Sequence, residues 1–276
     1  MKAAPFAWQR PASLPAALQA LQAEGCSAVG GGQSLGPMLN LRLARPAALV
    51  DLRRLPELRG SALQDGVLRL GAAVTHAEIE DGLVPDTTRG MLPTVARGIA
   101  YRAVRNRGTL GGSLCHADPA ADWVNALMAL GATVSLSSPQ GTRQLPLEDF
   151  IIAGYATALQ PGEVLTEVEL PAFGPGLRWG YHKLCPKVGE FADAIGVVVV
   201  DPGIGFCRVL VGAIETRPAL LPDAAGLLRE AAQAPDPHAL FSAAVTRACP
   251  GADPVFIHQH AVALVRALAQ MNARQP

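Results

Sequence analysis

Apolar residues recur along this chain at helical and strand periods, and glycine- and proline-rich breaks divide the runs into units. Residues 13–21 space Leu and Ala as a helix does, behind a Ser N-cap candidate and an early proline. They predict a short amphipathic helix ending near Gly25. Residues 27–29 read as a strand that runs straight into Gly30, Gly31 and Gly32. Residues 37–43 fit either a helix or irregular backbone, and residues 48–52 a second strand. This first unit, residues 1–55, is small and α/β.

Alternation over residues 63–71 around Asp65 and Gly66 predicts a tight hairpin. Thr75 and Glu78 form a capping-box start, residues 91–99 a further helix, and residues 120–130 an apolar helix closed by Gly131. Strands at 133–137 and 143–147 flank a turn at 139–141, and a strand at 164–170 leads into the linker-like stretch 171–176. The second unit covers residues 56–174. From 177 to 276 the pattern is a three-stranded meander (178–184, 194–200, 207–214) followed by helices near 223–232 and 258–272. That is a small α+β domain.

Composition narrows the class. Half of the 276 residues are hydrophobic and 17% are charged, as in a globular protein. Lys+Arg and Asp+Glu are equal at 23 each, so no global field attracts nucleic acid or an anionic membrane. The aliphatic run 195–200 lies between Asp193 and Asp201. It is far short of the roughly 20 residues of a membrane span and fits a buried strand. The N-terminal stretch has no apolar core of a signal peptide, so a soluble, cytoplasmic protein is expected. Cys26, Cys115, Cys185, Cys207 and Cys249 are scattered without a CxxC or Cys/His cluster, which favours reduced thiols and no metal site.

The candidate chemistry sits in two glycine turns. Val29 precedes Gly30, Gly31, Gly32, Gln33, Ser34 and Leu35; the second turn is Thr109, Leu110, Gly111, Gly112 and Ser113. Glycine lets backbone amides approach an anion, and hydroxyls add donors. Two such turns suggest two cradles closing on one phosphate-bearing ligand. Plainer readings compete: a strand-ending turn at 30–32, a capped or core His116, Asp118 as an N-cap before Pro119, and Asp122 as a first-turn acid. The functional reading gives Thr109 and Gly112 to a pyrophosphate and Asp122 to sugar hydroxyls.

Here the chain resembles a known family. Residues 30–37 nearly reproduce the AGGxSLLP motif of the FAD-binding subunits of molybdenum hydroxylases, the family of xanthine dehydrogenase and aerobic carbon monoxide dehydrogenase. Residues 40–46 resemble its KLRLAxP, and residues 105–122 match its RNRGTIGGSLAHADPAAD almost letter for letter. Residues 181–192 resemble its YxKxxxRxxDFA, with Lys187 and Glu190 in place of Arg and Asp. Gly36 and Cys115 replace the usual Leu and Ala.

The resemblance implies an α+β protein: a two-subdomain FAD-binding domain of the vanillyl-alcohol-oxidase (PCMH) type, then the small C-terminal α+β domain. It implies that residues 30–35 and 109–113 clasp the FAD pyrophosphate, with His116 on the phosphate side. Asp122 would orient a ribose or ribityl hydroxyl. Ile99, Ala100, Leu165 and Thr166 would line the adenine or flavin pocket, and Lys183 would lie near the isoalloxazine. The resemblance implies no catalytic residue and no metal ligand on this chain. The expected partners are a large molybdopterin subunit and a small subunit with two [2Fe–2S] clusters, in a dimer of heterotrimers, with the flavin subunit relaying electrons. A self-contained FAD oxidase and a flavin-binding assembly scaffold without turnover are the competing readings; the first would need a large substrate-capping domain.

Overall fold

The computed structural model describes residues 2–274. The first unit holds β1 (Ala7–Gln9), α1 (Leu14–Ala20), β2 (Cys26–Val29), α2 (Leu35–Asn40) and β3 (Ala48–Asp51). Its three strands lie in the order β1-β3-β2, both pairings parallel. Central β3 is buried on both faces: Leu49 packs with Val29 and Leu39, while Val50 packs with Ala17 and Leu18. Strand β1 is a structural addition to the sequence reading. Its residues are all exposed, so only the pairing with β3 makes it a strand.

The second unit begins with β4 (Ser61–Gln64) and β5 (Val67–Gly71), joined through Asp65 at φ 53 and Gly66 at φ 74. Two positive φ values in a two-residue loop match the twist of an antiparallel hairpin. Five helices follow: α3 (His76–Glu80), α4 (Met91–Arg97), α5 (Arg102–Arg105), α6 (Leu110–His116) and α7 (Asp122–Ala129). Then come β6 (Thr133–Ser138), β7 (Gly141–Pro146), α8 (Leu147–Phe150), the small hairpin β8 (Ile151–Ala153) and β9 (Ala156–Thr157), and β10 (Val164–Pro171). The five-stranded sheet runs β4-β5-β10-β6-β7, antiparallel throughout. Thr75 caps α3 with both halves of the capping box formed by Glu78.

One expectation fails here. Asp118 is no helix N-cap, because Ala117 at φ 51 ends α6 and α7 starts only at Asp122, after Ala121. Asp118 Oδ1 instead accepts the Ala120 amide at 3.0 Å, and Oδ2 accepts the Tyr155 hydroxyl at 3.0 Å.

The last unit is the meander β11 (Arg178–Leu184), β12 (Ala194–Asp201), β13 (Phe206–Gly212), extended by a short β14 (Ala219–Leu220). Three helices cover it: α9 (Ala224–Gln233), α10 (Pro237–Ala248) and α11 (Pro254–Ala273). The sequence reading had neither β14 nor α10. Strand β12 explains the aliphatic run over 195–200, since it is buried on both faces. Val197 and Val199 join the core of the second unit, whereas Val198 packs under α11, in a cluster that α10 closes from behind with Phe241. The linker is fastened by Asp201, which accepts the Gly174 amide, and by Arg89, whose guanidinium donates to the carbonyls of Pro175 and Leu177. No helix among the described residues is long and apolar enough to cross a membrane.

Candidate functional site

The three units meet around a cleft of about 770 Å³. Both glycine turns line it, and they touch each other. A Cβ on Gly31 would collide with the carbonyl oxygen of Arg107, and one on Gly30 would stand 2.6 Å from Thr109 Oγ1. Glycine is therefore needed at 31 to let the two loops pack, a reason the sequence alone did not show. Gly32, at φ 71, turns the chain into α2, where its carbonyl accepts the Gly36 amide.

The two turns differ in their donors. Among the described residues, no acceptor receives the amides of Gly31, Gly32, Gln33 and Ser34. In the second turn the amides are engaged inside the protein. Leu110 donates to the Val74 carbonyl, Gly111 to that of Ala72, Gly112 to Thr109 Oγ1 at 3.2 Å, and Ser113 to the Thr109 carbonyl. This corrects the picture of amides reaching an anion from both sides. From the second turn the cleft receives hydroxyls and the exposed Cα face of Gly112 instead.

At the far side of the cleft, α7 presents Asp122 to β11. Tyr181 and Lys183, two residues apart, project from the same face of that strand. The Tyr181 hydroxyl donates to Asp122 Oδ1 at 2.8 Å and Lys183 Nζ donates to Oδ2 at 2.9 Å. Burial pushes the Asp122 carboxyl upward, against the pull of the Lys183 ammonium and the Tyr181 hydroxyl. Burial also drives the Tyr181 phenol far above its ordinary value, helped by the Asp122 charge. So Asp122 is already engaged by two side chains, which the sequence reading did not foresee.

The remaining wall carries several groups of note. His76 is buried beneath Gly108, and its Nδ1 accepts the Trp123 indole N–H at 2.9 Å. Burial, with the nearby Arg105 charge, lowers His76 to about 4, so the ring is neutral at pH 7. Burial pushes the Cys115 thiol up to about 12. His116 packs edge-on against Tyr155 at 5.3 Å between ring centroids. The loop after β11 closes the cleft: the Ala100 amide donates to the Gly189 carbonyl at 3.0 Å, and Lys187 Nζ lies 6.0 Å from the Tyr101 ring centre.

Of the residues singled out in the sequence, the cleft brings together Val29, Gly30, Gly31, Gly32, Gln33, Ser34, Leu35, Ile99, Ala100, Thr109, Gly111, Gly112, Ser113, His116, Asp122, Leu165 and Lys183. Leu110 and Thr166 stand outside that lining. Leu110 is a fully buried core side chain. The Thr166 hydroxyl turns into the sheet and donates to the Ser135 carbonyl at 3.1 Å. His76, Tyr181 and the 160–164 stretch escaped sequence reasoning. Only Tyr181 left a signal, as the first residue of the motif over 181–192 and by its spacing from Lys183 on one strand face.

Comparison with known proteins agrees with this architecture. Residues 4–173 match the family described as the FAD binding domain in molybdopterin dehydrogenase. The chain belongs to that family, and its cofactor is FAD. It is 33% identical over 240 residues to the nicotine 6-hydroxylase medium subunit of Paenarthrobacter nicotinovorans, covering 86% of this chain and 84% of that one. It is 36% identical over 197 residues to the carbon monoxide dehydrogenase medium chain of Hydrogenophaga pseudoflava, covering 71% and 69%. A solved carbon monoxide dehydrogenase from Hydrogenophaga pseudoflava, lacking the Mo-pyranopterin moiety of its molybdenum cofactor, superposes with a TM-score of 0.90. That match has 28% identity over the whole of both chains. This chain is thus a flavoprotein component of a multi-subunit oxidoreductase, of the medium-subunit type.

Proposed function

We propose that this chain relays electrons: its FAD takes them from the [2Fe–2S] clusters of a partner subunit and passes them to an external acceptor. The observation that carries the reading is the row of unengaged amides from Gly31 to Ser34, in residues that line a cleft of about 770 Å³. A row of free backbone donors on a glycine-rich turn suits an anion, and a diphosphate supplies acceptors for it without cationic side chains. The donor set fits the cofactor. Gly31–Ser34 would meet the pyrophosphate together with the hydroxyls of Thr109 and Ser113. The open face of Gly112 lets the ligand lie close.

The apolar side chains of Ile99, Ala100 and Leu165 would enclose the rings, with His116 toward the phosphates and Lys183 toward the isoalloxazine. Asp122 serves in this reading as the counter-charge of Lys183 and, with its remaining lone pairs, as an acceptor for a sugar hydroxyl. The flavin, when bound, supplies the redox chemistry; the protein supplies orientation and electrostatics.

The partners in this reading are a large molybdopterin subunit and a small subunit with two [2Fe–2S] clusters, paired as a dimer of heterotrimers in the cytoplasm. The relatives' naming as medium subunits supports a divided enzyme. The cysteines of this chain, at 26, 115, 185, 207 and 249, lack the close spacing that holds an iron–sulfur cluster, which supports placing the clusters elsewhere. Residues 1–55 and 56–174 would form the two FAD subdomains and 177–276 the C-terminal domain. Acid precipitation of the purified yellow protein tests the mode of binding. All flavin is expected in the supernatant; colour held in the pellet would mean a covalent link and contradict this site.

A further inference from the structure

The contact between β11 and α7 joins the C-terminal unit to the second unit at the cleft wall. Tyr181 is held at both ends: its amide donates to Gln270 Oε1 at 3.0 Å, and its hydroxyl donates to Asp122 Oδ1 at 2.8 Å. Asp122 is only 6% exposed, and its other oxygen takes Lys183 Nζ. Lys183 Nζ has a further neighbour in the Gly98 carbonyl at 3.5 Å, just before Ile99 and Ala100. One carboxylate thus shares its charge between a neutral donor and a cation, and both donors come from one strand.

We propose that Tyr181 is a positioning residue that fixes Asp122 and, through it, sets the net charge that Lys183 presents to the cleft. The expected consequence is control over how tightly the site holds reduced against oxidised FAD, so the inference rests on the flavin reading above. Hydrogen-bond donation from Tyr181 draws off part of the carboxylate's charge. Without it, Asp122 faces the cleft with more negative charge, and Lys183 is more fully neutralised. Extra electrons on a flavin beside the pair are then less well stabilised, while the uncharged oxidised ring is little affected.

The test compares Tyr181→Phe with the wild-type full chain by FAD titration and by spectroelectrochemical midpoint. Tyr181→Phe should bind oxidised FAD within about threefold of wild type, because the ring keeps its packing. Its affinity for reduced FAD relative to oxidised FAD should fall about tenfold, a midpoint lower by about 30 mV for a two-electron couple. In an Asp122→Asn background the same Tyr181→Phe change should move the midpoint little, since the carboxylate it acts through is gone. If Tyr181→Phe misfolds, 3-fluorotyrosine at 181 keeps the shape and strengthens the donor, and the midpoint should rise.

A midpoint unchanged in a folded Tyr181→Phe protein, or an unchanged one with fluorotyrosine, would overturn the proposal. So would an equal shift with and without Asp122. A wild-type chain that binds no FAD would instead overturn the flavin reading itself.

Discussion

The carbonyl oxygen of Arg107 lies so close to the Cα of Gly31 that no Cβ fits between them. Gly31→Ala must therefore push the two glycine loops apart. Such overpacking costs about 1–3 kcal/mol, and the parted loops should bind FAD at least tenfold more weakly. Gly36 has nothing within 4 Å of an added Cβ. Gly36→Ala should hold FAD as wild type does and, lying in helix α2, should gain about 0.4–1 kcal/mol of stability. Thermal melts paired with FAD titrations check both.

Gly112 tests the cleft more directly. It is exposed, and its closest obstacle to a Cβ is Thr109 Oγ1 at 2.7 Å, the same atom that accepts its amide. Gly112→Val should strain the Thr109 cap of α6 at a cost of about 1 kcal/mol, without unfolding the protein, yet should empty the site of flavin. Full flavin occupancy in a folded Gly112→Val protein would place the cofactor elsewhere.

His76 ties stability to pH. Its value in the folded protein is lowered from 6.5 to about 4. The unfolded chain binds the proton more tightly, so stability is fully present above about pH 6.5 and is lost as pH falls toward 4. The sign follows from protons taken up on unfolding, and the span corresponds to about 3 kcal/mol. Denaturant unfolding across this pH range should show that loss. His76→Leu should flatten the slope, while lowering stability at pH 7 by leaving the Trp123 indole N–H without its acceptor.

Local chemistry made much of the fold legible. The Thr75–Glu78 capping box, the Asp65-Gly66 turn and the doubly buried strand β12 each follow from residues adjacent in the chain. Strand β1 did not show, because three exposed residues carry no alternation and are ordered only by pairing with β3. Helix α10 was missed although Asp236 and Pro237 mark its start; its apolar stripe is weak, with only Phe241, Ala244 and Val245 buried.

The candidate site divides the same way. Both glycine loops stand out in sequence, but their mutual contact depends on how the units dock. Asp122 could be singled out by its place in a motif, whereas its grip by Tyr181 and Lys183 arises only when β11 meets α7. Thr166 misled because a strand residue near the cleft can turn its hydroxyl into the sheet, as this one does toward Ser135.

The relay itself is tested by anaerobic absorbance of the complex formed when this chain is co-expressed with its neighbouring large and small subunits. Purines, N-heteroaromatics, aldehydes and carbon monoxide form the panel of reductants. The compound that reduces the complex should bleach the cluster and flavin bands together, and a complex lacking this chain should lose only the cluster bands. The isolated chain should be bleached by none of them. Turnover by the isolated chain, or flavin that stays oxidised beside fully reduced clusters, would contradict the account.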